Sequence, residues 1–156
     1  MERLNLLLEQ IAELEKKFEE FFSTEQKLLR TIPGVGKVLA PTLVAEVLPL
    51  IHPELKEGAR KLVAAAGIDV RLRESGENSG KGKMSKRGSK YLRTAVIQAA
   101  DTAVFLAKDP LFSAVYQRQR NRGKHHKVAL SHVANKMLHV VFSVLKNQKP
   151  YKPCLN

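Results

Sequence analysis

The sequence has one cysteine, Cys154, no tryptophan, and only nine phenylalanines and tyrosines among 156 residues. A lone thiol excludes an internal disulfide and fits a reducing, cytoplasmic setting. Long apolar runs are also lacking. Charged or turn residues interrupt each one, so no run is expected to reach the length of a membrane span. The opening Met1-Glu2-Arg3-Leu4-Asn5 lacks the basic-then-apolar layout of a secretion signal. Acid is scarce and unevenly placed: seven of the 15 Asp and Glu lie within residues 1–30, and none follows Asp109. Against them stand 27 Lys and Arg, for a net charge of +12. An excess of that size implies a polyanionic partner, nucleic acid before an anionic membrane.

The charge divides the chain. Residues 1–30 carry a net charge of −2, and the remaining 126 carry +14. No acid lies between Glu77 and Asp101, while Lys81, Lys83, Lys86, Arg87, Lys90 and Arg93 all do. A cationic body of this kind binds nucleic acid with steep salt dependence, because each neutralised phosphate releases counterions.

Local patterns predict a mainly α fold. Leu4, Leu7, Ile11, Leu14, Phe18, Phe21 and Leu28 form a heptad seam interrupted at Glu25, which predicts one helix over about residues 2–29. That helix is either a coiled-coil-like dimer arm or an amphipathic helix packed on its own domain. Pro33 then stops it, and Gly34 and Gly36 are both expected to supply a tight turn with positive φ before a helix over Val38–Leu48. Helix, Pro-Gly-Val-Gly, helix is the pattern of a helix-hairpin-helix element. Backbone N–H groups at its second helix can face a phosphate, with Lys37 beside them. A plain helical turn is the alternative.

A short helix follows over about Leu55–Ala66, ended by Gly67. Residues 68–73 alternate apolar and charged, residues 74–80 are turn chemistry, and residues 81–87 can return, making one small β-hairpin at most. Ser89 caps a helix over Lys90–Ala107, Asp109-Pro110 opens another to about Arg122, and Lys127–Lys146 forms the last. The expected organisation is an arm over 1–30, a body over 31–147 and a tail over 148–156.

Candidate chemistry is limited. His125, His132 and His139 recur every seventh residue, about 10 Å apart along a helix, too far to share one ion. The carboxylates after the arm do not form a spaced set for two-metal phosphodiester chemistry. Ser75 sits in a glycine-flanked turn beside Arg73, with Lys81 and Lys83 following. Cations there suit a hydroxyl attacking phosphorus, but Ser79, Ser85 and Ser89 are equal candidates on composition, and serine is an ordinary turn former.

The ordered segments Thr31-Ile32-Pro33-Gly34-Val35-Gly36, Ala64-Ala65-Ala66-Gly67-Ile68, Glu74-Ser75-Gly76, Met84-Ser85-Lys86-Arg87-Gly88-Ser89-Lys90-Tyr91-Leu92-Arg93 and Arg122-Gly123-Lys124-His125-His126-Lys127 together resemble one family. It is the C-terminal domain of the DEDD-type insertion-sequence transposases, those of insertion sequence one hundred and ten and its relatives, matched over about residues 25–147. The resemblance implies a DNA recombinase in which Ser75 is the nucleophile. It implies DNA and a structured guide RNA as partners, and a nucleoid-associated, cytoplasmic location. Gly34, Gly36 and Lys37 carry over as hairpin positions. Lys83, Lys86, Arg87, Lys90 and Arg93 carry over as a cationic stretch near the DNA, and Arg73, Lys81, Lys124 and Lys127 are further nucleic-acid-binding candidates. The family's RuvC-like domain, with its Asp-Glu-Asp-Asp set for Mg²⁺, has no counterpart in these residues. A truncated or split gene is one expectation, with metal supplied by a partner RuvC-like domain, none held by this chain alone, and homo-oligomers formed through the N-terminal helix.

Overall fold

A computed structural model describes residues 2–51, 58–71, 74–75, 78–79 and 83–153. At Glu2, Phe18, Glu19, Phe21 and the strand residues between 70 and 83 it describes the backbone alone. The fold is mainly α, as the periodicity predicts. Its helices are α1 (Glu2–Phe21), α2 (Ser23–Leu29), α3 (Leu39–Val47, continued by a 3₁₀ turn over Leu48–Leu50), α4 (Gly58–Ala66), α5 (Lys90–Phe105), α6 (Pro110–Asn121) and α7 (His126–Asn147).

The single N-terminal helix expected over residues 2–29 is two helices. Phe22 leaves helical geometry at φ −119° and ψ 28°, and separates α1 from α2. The break follows from packing. Phe22 lies against the core, and Gln26 and Leu29 of α2 are buried, whereas Leu4, Leu7, Ile11 and Leu14 of α1 are 49–65% exposed. The heptad seam therefore serves two surroundings: solvent along α1, and the body along α2.

The core is built around α7, which α2, α4, α5 and α6 all contact. Nine α7 residues are buried, from Ala129 to Leu145. Contrary to the expectation from interrupted runs, α7 is long and apolar enough to cross a membrane. Half of that stretch is buried within the fold, which accounts for its hydropathy as a core helix. Helix α5 presents Leu92, Ala95, Val96, Ala99, Ala100, Ala103 and Val104 inward. So many alanines on one face allow neighbouring backbone to approach closely.

Caps set the helix starts. Ser89 accepts a hydrogen bond from the Leu92 N–H, and Asp109 accepts one from Phe112 with Pro110 at the first helical position. Between α4 and α5 lie two short antiparallel ladders. Val70–Arg71 (β1) pairs with Lys83–Met84 (β4), and Glu74–Ser75 (β2) pairs with Asn78–Ser79 (β3). The stretch expected as an unpaired turn thus holds a ladder of its own, closed by the Ser75–Asn78 register. The helix start expected near Leu55 lies outside the described residues, as does Cys154.

Candidate nucleic-acid interface

The loop between α2 and α3 is shaped by one glycine rather than two. Gly34 has φ +88°, and a Cβ on it would stand 2.1 Å from the carbonyl oxygen of Ala99. Only glycine lets this turn rest on the small-residue face of α5. Gly36 departs from the expectation of positive φ, and nothing lies within 4 Å of where its Cβ would be. Its carbonyl accepts from the Ala40 N–H, starting the α3 hydrogen-bond ladder. No side chain caps α3, so the positive end of its dipole meets solvent beside Lys37. Arg30, Thr31, Lys37 and Thr102 are among the residues lining a concavity of about 480 Å³ at this loop.

A second loop leads into the start of α5. Residues 85–89 are clasped to the end of α4: Lys86 N–H donates to the Gly67 carbonyl at 3.0 Å, and Ser89 N–H to the Ala65 carbonyl at 2.7 Å. A Cβ on Gly67 would meet the Arg87 backbone at 2.5 Å, and one on Gly88 the Ala65 oxygen at 2.1 Å. Ser85 donates its hydroxyl to Asp69 and its N–H to the Asp69 carbonyl. Lys86 adopts φ +53° and, with Arg87 and Lys90, is exposed. Arg93 differs from them: its guanidinium donates to the Ala66 carbonyl at 2.9 Å and ties α5 to α4. Lys90 lies over the Tyr91 ring at 5.0 Å.

The start of α3 and the first turns of α5 flank a groove of about 390 Å³, lined by Val38, Leu39 and Thr42 on one side and Lys90, Tyr91 and Gln98 on the other. Val38 is 80% exposed and Tyr91 63%. Neither stood out in the sequence as a site residue. The signal for Tyr91 was its place one step off the Leu92–Ala95–Val96–Ala99 face, next to a lysine.

The third cationic element is the turn from α6 to α7. Lys124 and Lys127 are exposed there, and Arg120 donates to the Lys124 carbonyl at 2.8 Å. His125 caps α7 through its ring, accepting from the Lys127 N–H. The Tyr116 hydroxyl and His126 Nδ1 are 2.8 Å apart, with Phe105 packed on both rings. His132 is held below its ordinary pKa by partial burial, then by Lys124 and Arg122.

Of the remaining sequence candidates, Ser75 and Lys83 are placed by backbone in β2 and β4, and Arg73 and Lys81 lie outside the described residues. Among the described residues the one ion pair is Lys17–Glu13 on α1, so the body's described cations carry no carboxylate partner. No three described His, Cys, Asp or Glu side chains converge as a metal site.

The arrangement is a helical module whose loops present unpaired cations around α5. The chain belongs to the transposase IS116/IS110/IS902 family, whose profile aligns with residues 26–117, from α2 into α6. It is 28% identical over 148 residues to the 42 kDa protein of insertion element IS900 from Mycobacterium paratuberculosis, covering 92% of this chain and 36% of that protein. It is 28% identical over 125 residues to the pilin gene-inverting protein of Moraxella bovis, covering 80% and 38%. The 44.8 kDa protein of insertion element IS116 from Streptomyces clavuligerus is 26% identical over 153 residues, covering 97% and 37%. The chain thus spans little more than a third of the relatives it matches.

Proposed function

We propose that this chain is the DNA-binding C-terminal module of a transposase or site-specific recombinase, with Ser75 as nucleophile toward a DNA phosphodiester. The Ser75 hydroxyl gives up its proton to solvent as its oxygen bonds to phosphorus, a deoxyribose oxygen on the opposite side leaves with its electron pair and takes up a proton in turn, and the phosphoryl group is held as a serine ester. The observation that carries the DNA reading is the set of unpaired cations on the loops around α5, one of which, residues 85–89, follows strand β4 at the end of the segment that bears Ser75. Such cations offset charge on phosphoryl oxygens as the transition state forms. The Moraxella relative, a pilin gene-inverting protein, supports recombination rather than degradation.

Mg²⁺ belongs, on this reading, to a separate RuvC-like domain, and no step through it is assigned to these residues. A structured guide RNA is the second nucleic-acid partner. The exposed seam of α1, Leu4, Leu7, Ile11 and Leu14, joins two copies through a coiled-coil contact.

Joining the chain to a RuvC-like domain and assaying strand exchange tests the reading. Ser75→Ala is expected to abolish exchange and the covalent protein–DNA species while leaving DNA binding intact. Exchange at the parent rate would remove Ser75 from the mechanism. Salt-dependent binding without exchange in the parent protein would favour a non-catalytic helix-hairpin-helix protein that binds DNA or RNA.

A further inference from the structure

Residues after α7 form a structured strap rather than a loose end. Gln148 turns the chain out of the helix in left-handed geometry, at φ +51°. Three residues on, the Tyr151 hydroxyl donates to both carboxylate oxygens of Asp109, at 3.1 and 3.2 Å. The Tyr151 N–H donates to the Thr31 hydroxyl at 2.8 Å, and its ring stacks on Phe112. These contacts hold Lys149 and Lys152, either side of Tyr151, against the body.

The strap closes one wall of a cavity of about 700 Å³ whose other walls are α7 and the first turn of α6. Lys136, His139, Ser143, Asn147, Lys149 and Lys152 line it, and none of its lining residues is acidic. The carboxylate to which the strap is bonded, that of Asp109, is buried and already accepts from Phe112 and Tyr151. His139 is held below its ordinary pKa by partial burial, then by Lys136 and Arg60, which places a further cation nearby. Thr31, to which the strap is bonded, also lines the concavity of the α2–α3 loop with Arg30 and Lys37. The two concavities therefore adjoin at the Thr31–Tyr151 contact.

We propose that Lys136, His139, Lys149 and Lys152 form a second phosphate-binding surface that takes the sugar–phosphate backbone of a nucleic acid, continuing the track that begins at the α2–α3 loop. This inference rests on the nucleic-acid reading above and adds to it a site on the C-terminal strap. Three lysines and no acid suit a polyanion rather than a lone carboxylate ligand, and the Thr31–Tyr151 contact between the two concavities suits a strand that passes both.

The test compares the intact chain with a Lys136→Gln/Lys149→Gln/Lys152→Gln variant, and with a Lys16→Gln/Lys17→Gln/Lys27→Gln variant that loses equal charge on α1 and α2. All six lysines are exposed. Binding is measured by fluorescence anisotropy across a salt series, with duplex DNA, single-stranded DNA and a structured RNA as separate probes. The strap variant is expected to bind at least about ten-fold more weakly, with a log–log salt slope shallower by about 2–3, since each lost phosphate contact removes about 0.9. The matched variant should stay close to the parent. A loss on DNA alone, on RNA alone or on both supports the site and identifies the strand. Equal losses in the two variants, or parent-like binding by the strap variant, would overturn the site and leave the nucleic-acid reading standing. Failure of the intact chain to bind any probe would instead overturn that reading.

Discussion

Gly34 rests directly on α5, where any side chain would collide with the carbonyl oxygen of Ala99 at 2.1 Å. The contact fixes the α2–α3 loop to the helix that also carries Lys90 and Tyr91, so loop position and helix packing are one structural fact. Gly34→Ala should cost about 3 kcal/mol or more, because the positive φ and the backbone clash both have to be relieved. Gly36→Ala, in open space without positive φ, should leave stability unchanged or raise it by up to about 1 kcal/mol. Urea unfolding of the two variants checks the contrast, and equal losses would contradict it.

Asp109 links three elements through one carboxylate: the start of α6, the strap and the end of the α5–α6 connection. Asp109→Ala removes a cap and leaves the Tyr151 hydroxyl without this acceptor, for an expected loss of about 2–3 kcal/mol. Tyr151→Phe keeps the ring stack and should cost about 1 kcal/mol. Hydrogen exchange should show increased opening at residues 148–153 in both variants, with α5 protected in the phenylalanine variant.

Both perturbed histidines titrate in the same direction. Their folded pKa values lie below the ordinary 6.5, so between the two values the unfolded chain binds more protons. Their contribution to stability is complete above about pH 6.5 and declines as pH falls through the lowered values. Thermal midpoints measured between pH 7.5 and 5.5 should therefore decrease. A His132→Asn/His139→Asn variant should show a shallower decrease, and an unchanged slope would assign the effect to other groups.

The exposed seam of α1 predicts a separable association. Leu7→Glu/Leu14→Glu should shift the protein to a smaller species in light scattering, while the unfolding midpoint of the body stays within about 0.5 kcal/mol of the parent, as surface changes usually do. A parent that is already monomeric would remove the arm from assembly.

Much of this was readable from residues. Ser89, Asp109-Pro110 and Gly67 mark helix ends by chemistry that acts locally, and the structure places those ends within a residue or two. The break at Phe22 was not readable, because the apolar period runs on through it with no proline or glycine. It arises from the pull of the core on Phe22 and Leu29. The Gly-Val-Gly spelling likewise does not disclose which glycine carries positive φ, since that depends on the distant alanine face of α5. Arg93 reads as one more cation in a basic run, and only tertiary structure reveals its bond to the Ala66 carbonyl. The same applies to the strap, whose partners Thr31 and Asp109 are 120 and 42 residues away.

The clasp between the end of α4 and residues 85–89 pins together the two ends of the segment that carries Ser75. A segment pinned at its base is a cassette, held to the body at its two fixed ends. Replacing or lengthening residues 72–82 should cost the fold little beyond loop closure, about 0.6 kcal/mol for each doubling of length. Changes in that cassette outside Glu74-Ser75-Gly76 should be tolerated, whereas Gly67 and Gly88, pressed against backbone, should not accept a side chain. Grafting a cassette from one relative into another should transfer its DNA chemistry without redesign of the helices beneath.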